Sequence, residues 1–202
     1  MTFFKQILAA GLAAAALGAA VAQTTPDALI KQVSTEVIDT VKADKAIQAG
    51  DVAKIIALVD AKVMPHVDFQ RMTAASVGRH WRTATPEQQA KLQAEFKALL
   101  VRTYAGAMTQ VKDQTVALKP LRAAASDTEV VVRTEIKGRG EPIQLDYRLE
   151  KVGSAWKIYD VNVLGVWLVE QYRGQFAQDI NAGGLDGLIA KLADRNAKAG
   201  KS

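Results

Sequence analysis

Apolar residues recur along this chain with two periods, and the switch between them divides it in half. Behind Thr24-Thr25-Pro26-Asp27, residues Leu29, Val33, Val37 and Val41 fall every four positions, which predicts one face of a helix ending near Asp44. Gly50-Asp51 opens a second helix, with Val52, Ile55, Ile56, Val59 and Val63 as its stripe and Pro65 as its stop. Asp68 caps a short third helix, across which Val67 and Met72 are spaced as a hydrophobic staple. Thr85-Pro86-Glu87-Gln88 is the strongest local signal: a hydroxyl cap, a proline at the first helical position, an acid at the positive end of the dipole and a glutamine closing a capping box. The helix behind it is expected to run to about Lys112, roughly 27 residues and ~40 Å. Leu92, Phe96, Leu99, Leu100 and Thr103 make one stripe, and Val101, Tyr104, Met108 and Val111 widen it. A stripe that broad means burial between two layers, or contact with something apolar that is not protein.

From Gln114 the period becomes two. Val116 and Leu118 begin one strand, and in the next Val130, Val132, Thr134 and Ile136 alternate with Val131, Arg133, Glu135 and Lys137. After the Gly138-Arg139-Gly140 turn, Ile143, Leu145, Tyr147 and Leu149 face one way and Gln144, Asp146, Arg148 and Glu150 the other. Gly153-Ser154 leads into the last strand, where Tyr159, Val161 and Val163 share a face opposite Trp156 and Ile158. Turns this short join only antiparallel neighbours, so the four strands form a meander with one wet face and one apolar face. Gly165 then acts as the hinge into a helix carrying Val166, Val169, Tyr172, Phe176 and Ile180, and after Gly183-Gly184 a final helix carries Leu185, Leu188, Ile189 and Leu192. The expected class is α+β: a four-stranded antiparallel sheet covered by about six helices, in one domain from 23 to 202.

The first 22 residues stand outside that domain. A weakly basic start at Met1 to Lys5, an Ala-rich apolar run from Ile7 to Val21, and Ala20-Val21-Ala22 before Gln23 read as a secretory signal peptide cleaved after Ala22. The chain has 202 residues and a formal charge of +5; without Lys5 the mature part keeps 25 basic and 21 acidic residues, a formal +4. For an exported protein this mild excess points to anionic lipid headgroups or an acidic protein surface rather than nucleic acid. With no cysteine, stability must come from the core.

Reactive constellations are scarce. His66 and His80 stand 14 apart, with no cysteine and no spaced carboxylate to complete a metal site. No nucleophile elbow, zinc-protease helix, phosphate loop or dinucleotide fingerprint is present, and Gly138-x-Gly140 sits in a hairpin turn. An exported, mildly basic domain with broad apolar faces fits a carrier better than a catalyst.

Three stretches resemble the MlaC family, the toluene-tolerance proteins that shuttle phospholipid across the periplasm of Gram-negative bacteria. They are Gly78-Arg79-His80-Trp81-Arg82-Thr83-Ala84-Thr85-Pro86-Glu87-Gln88 with Phe96, Leu99-Leu100 and Thr103-Tyr104-Ala105; Pro142-Ile143 to Asp146-Tyr147-Arg148-Leu149; and Trp156-Lys157-Ile158-Tyr159-Asp160-Val161 with Gly165-Val166-Trp167-Leu168-Val169, Tyr172-Arg173-Gly174-Gln175-Phe176 and Gly184-Leu185-Asp186-Gly187-Leu188-Ile189. Two positions depart: His80 stands where tyrosine is common in the family, and Trp167 where serine is common, a change that would reshape the entrance or floor of a pocket. The resemblance implies a strongly curved sheet and surrounding helices enclosing an apolar cavity for acyl chains. It further implies a monomeric periplasmic carrier that maintains outer-membrane lipid asymmetry, with phospholipid as cargo, no cofactor and no catalytic residue. The implied partners are a lipoprotein and porin complex at the outer membrane and an ABC transporter with its MCE-domain subunit at the inner one.

Periodicity then supplies the expected lining, Val132, Ile143, Leu145, Tyr147, Leu149, Tyr159, Val161 and Val163 from the sheet and Phe96, Leu100, Tyr104 and Met108 from the long helix, and the resemblance adds Trp167 at the entrance or floor. The hydroxyls of Tyr104, Tyr147 and Tyr159 are candidates to meet a headgroup, and Arg79, Arg82, Arg133 and Arg139 to dock acidic partners or meet phosphate at the mouth. Two other readings compete: a small-molecule enzyme on a cone-shaped scaffold, using a tyrosine and a buried Asp146 or Asp160 for proton transfer, and an adaptor with a peptide groove.

Overall fold

The computed structural model describes residues 24–124 and 126–199. The segment read as a signal peptide lies outside the described residues. Helix α1 (Pro26–Ala43) starts as its sequence dictates, with the Thr25 hydroxyl accepting from the Ala28 amide and proline in the first turn. Asp44 ends α1 and caps α2 (Lys45–Gln48), and Asp51 caps α3 (Val52–Leu58). The expected long second helix is broken. At Val59–Val63 the backbone widens into a π turn, followed by a 3-10 turn over Met64–His66. Asp68 caps α4 (Phe69–Val77), and a 3-10 turn over Gly78–Thr83 leads to α5 (Pro86–Met108), which opens with the complete Thr85–Gln88 capping box. Helix α5 has 23 residues and stops at Met108, short of the expected Lys112. Beyond it the chain wraps around the Gln114 side chain, whose Oε1 accepts from the amides of Lys112 and Asp113.

The sheet is antiparallel and has five strands rather than four, in the order β1 (Thr115–Leu118), β2 (Glu129–Lys137), β3 (Ile143–Val152), β4 (Ala155–Val163), β5 (Val166–Trp167). The extra strand arises because Leu164 and Gly165, both with positive φ, reverse the chain in two residues and pair Val166 with Val163. Val166 therefore belongs to the sheet, and α6 (Leu168–Ala199) begins two residues later. Val169, Tyr172, Phe176 and Ile180 are its buried stripe, and at Gly184 (φ 66°) the helix breaks in two.

A second departure controls which side chains meet the interior. Arg148 pairs with Asp160 and Leu149 with Ile158, so Tyr159 is the extra residue of a β-bulge. The bulge inverts the alternation: Ile158, Val161 and Val163 face inward together, while Tyr159 turns to the opposite face.

That opposite face is charged and tightly paired. Arg71 of α4 lies 3.7 Å over the Tyr159 ring and bridges Glu129 (2.7 Å) and Glu150, two carboxylates set directly across β2 and β3. Arg148 lies 3.9 Å over Trp167 and pairs with Asp160 (3.0 Å) and Glu170 (3.2 Å). Asp160 also accepts from the Val169 amide at 3.0 Å, tying β4 to the first turn of α6. Burial pushes its carboxyl above the ordinary value, and the Val169 amide and Arg148 offset part of that rise. Glu129 goes the other way, held below its ordinary value by Arg71. The stability that the Arg71–Glu129 pair supplies is therefore complete above the ordinary glutamate value and fades as pH falls through the lowered one. Urea midpoints followed into acid are expected to drop more steeply for the wild type than for Arg71→Gln; parallel curves would show that the pair contributes nothing.

The helices and the inner face of the sheet meet in three apolar clusters. One joins α4, α5 and α6 around Phe96, Tyr172, Phe176 and Leu188; a second packs Leu29, Ile30 and Val33 of α1 on Val130, Val132, Leu149 and Ile158; a third joins Val41, Ile47, Ile55, Leu58, Val101 and Ala105. Where the three would converge they leave a space.

Candidate functional site

The space is a cavity of about 440 Å³, lined by members of all three clusters. Its walls are α1 (Ile30, Val33, Val37, Ile38), the π turn and its continuation (Val59, Val63, Met64), α5 from Lys97 to Met108 with the loop to Gln114, and the inner face of the sheet. Along α5 the lining from Lys97 to Met108 spans about 17 Å at 1.5 Å per residue. One leaflet of a bilayer's hydrocarbon core is about 15 Å deep. The cavity thus has the depth of a single layer of acyl chains. A second depression of about 330 Å³, beside α4 at Asp68, Gln70, Gln93 and Lys157, is open and mixed in polarity.

The interior is almost wholly apolar, with a few polar groups already engaged. Lys97, on the wall, is 2.8 Å from Asp60. Burial pushes the Tyr147 phenol up, and interaction with Ser34 and Thr134 draws it partly back. The Tyr104 phenol is raised by burial and then by neighbouring Tyr172. Ala107, Gln110 and Ile143 line the cavity and are exposed, so the mouth opens between the end of α5 and the β2–β3 end of the sheet.

Of the residues expected to form the lining, Leu100, Tyr104, Met108, Ile143, Leu145, Tyr147, Val161 and Val163 border this cavity. The others do not. Phe96 is wholly buried among Phe69, Tyr172 and Phe176. Val132 and Leu149 share the cavity's face of the sheet but are sealed beneath α1. Tyr159 is turned away by the bulge, and Trp167 lies in β5 under Arg148. The Tyr159 hydroxyl donates to Glu129 on the charged face, away from the cavity, while that of Tyr147 is enclosed. Asp146 and Asp160, the candidate acids, project from the charged face, so neither shares the cavity with a tyrosine. Arg79 and Arg82 are exposed on the 3-10 turn before α5, Arg133 is exposed on β2, and Arg139 reaches Asp113 near the mouth. Among the described residues, no group of three or more His, Asp or Glu could hold a metal. The α1 wall was missed although its stripe is plain in the sequence, because spacing does not tell a face over a void from one over packed core.

The MlaC protein family model matches residues 31–194. The chain belongs to the MlaC family. Curated relatives with the same extent include the toluene tolerance protein ttg2D of Pseudomonas putida, 28% identical over 89% of this chain and 85% of its own length. The intermembrane phospholipid transport system binding protein MlaC of Haemophilus influenzae is 24% identical over 86% of this chain and 83% of its own. Among solved structures, the phospholipid-binding protein from Ralstonia solanacearum, in complex with a phospholipid, superposes with a TM-score of 0.84 and 48% identity, covering 86% of this chain and 98% of that one. The MlaC fold here is an α+β domain with an open antiparallel sheet, and its cavity lies between that sheet and the helices.

Proposed function

We propose that this MlaC-family protein is a periplasmic phospholipid carrier, which buries acyl chains in the cavity and moves lipid between the outer and inner membranes without covalent chemistry. The observation that carries the reading is an apolar cavity one leaflet deep with a mouth at its exposed end, in a chain 48% identical to a protein solved with a phospholipid. A chain of roughly 16 carbons in water costs about 0.8 kcal/mol per methylene, roughly 12 kcal/mol in all. Aliphatic and aromatic walls replace the bilayer interior nearly evenly, so loading and unloading need no chemical step. The residues proposed to touch the tails are Leu100, Tyr104, Met108, Ile143, Leu145, Tyr147, Val161 and Val163, joined by Val33, Val37 and Val63. Residues 1–22 are proposed to direct export and to be removed after Ala22. The two docking stations proposed are an outer-membrane lipoprotein and porin complex and an inner-membrane ABC transporter with its MCE-domain subunit; the Haemophilus influenzae relative is named for an intermembrane phospholipid transport system.

Uptake of tail-labelled phospholipid from vesicles by lipid-stripped protein tests the reading. Label should move into the soluble fraction in proportion to protein. If it stays with the vesicles while the protein is folded and empty, the carrier function is refuted.

A further inference from the structure

We infer that the mouth of the cavity carries a phosphate-binding subsite built on Lys42 and Lys112, which takes the headgroup phosphate of the lipid whose tails lie inside. This rests on the carrier reading and adds to it a specific polar contact. Gln114 lines the cavity at the exposed end, and its backbone carbonyl accepts from the Lys42 Nζ at 2.8 Å, which places that ammonium on the rim. The loop holding it there is fixed: the Gln114 side chain accepts from the Lys112 and Asp113 amides and donates to the Gln110 carbonyl. Gly138 packs so closely on that side chain that an added Cβ would lie 3.1 Å from it.

The charge around this loop is unbalanced. An ammonium has three donors, and Lys42 commits one of them to a neutral carbonyl. Lys112, one residue from the lining Val111, is exposed, and neither lysine has an ion pair among the described residues. Asp113, the carboxylate of the loop, is turned to Arg139 at 3.0 Å. The loop thus gathers three cationic residues, Lys42, Lys112 and Arg139, and one carboxylate, Asp113, beside the lining residues Met108, Val111, Ile136 and Ile143. A cation beside a surface of low polarity binds a phosphodiester by charge-assisted hydrogen bonds more strongly than one in open water. At the far end the contrast is plain, because Lys97 already has Asp60. Tails inward and anion at the rim is the arrangement of an amphiphile.

The test loads lipid-stripped protein with dipalmitoyl phosphatidylglycerol or with dipalmitoylglycerol, which has the same tails and no phosphate, and reads occupancy by native mass spectrometry. Wild type is compared with the Lys42→Gln/Lys112→Gln double variant and with Lys191→Gln, which removes a remote cation paired to Asp179. The expected result is a loss of about tenfold in phosphatidylglycerol affinity in the double variant alone, with dipalmitoylglycerol unchanged. Equal loss of both lipids, or of neither, overturns the subsite while leaving the carrier reading standing. A wild type that takes up neither lipid overturns both. Inorganic phosphate is followed separately by phosphorus NMR: if its broadening depends on the two lysines while phosphatidylglycerol uptake does not, the site serves free phosphate and the headgroup assignment is overturned.

Discussion

Leu145→Asp is expected to empty the protein of lipid. Leu145 sits on β3 between Thr134 and Val163, half-buried because its side chain borders the cavity rather than solid core. In the lipid-free protein a carboxylate there is hydrated through the mouth. With acyl chains present it must be desolvated without a partner, at a cost of several kcal/mol. Even ~3 kcal/mol is roughly a hundredfold in affinity. Copurifying lipid should fall below detection in Leu145→Asp and persist in Leu145→Met, which keeps the volume and polarity. A folded Leu145→Asp protein that still carries a full complement of lipid would mean that this face of β3 is not the pocket wall.

The second large effect belongs to Phe96, and it falls on stability. Phe96 is wholly buried, with ring centroids 5.6 Å from Phe69, 4.9 Å from Tyr172 and 5.1 Å from Phe176, so it joins α4, α5 and α6 in one aromatic cluster. Phe96→Ala removes both the buried ring and these contacts, and neighbours on three helices cannot all collapse into the gap. The expected loss is about 3–5 kcal/mol, read as a lowered urea midpoint with unchanged slope. A loss below about 1 kcal/mol would show that the helical cluster relaxes freely. The contrast with Leu145 separates two kinds of apolar residue: one completes the protein's own packing, the other is completed by cargo.

Much of this architecture is legible in the sequence. Thr25, Asp68 and Thr85 mark their helix starts because a capping side chain acts within three residues and needs no tertiary context. The alternation of Ile143, Leu145, Tyr147 and Leu149 likewise gives the inner face of β3. Depth along that face is another matter. Leu145 meets the cavity and Leu149 the underside of α1, a difference set by where α1 crosses the sheet. At Tyr159 alternation itself fails, since one inserted residue reverses the faces on either side and leaves no mark in the hydrophobic pattern. Val166 fitted the helical stripe of Val169 and Tyr172 by spacing but was claimed by pairing with Val163, a contact made possible by the positive φ of Leu164 and Gly165. Phe96 and Leu100 lie one turn apart on α5, yet one is core and the other lining, which only the positions of α4 and α6 decide.

The claim on which the rest depends is that the polypeptide leaves its interior unfilled and hydrocarbon completes it. Mass spectrometry of an organic extract, made from protein exported and purified without detergent, measures this directly. The account predicts diacyl phospholipid at close to one molecule per chain. A folded protein whose extract contains no lipid would contradict it.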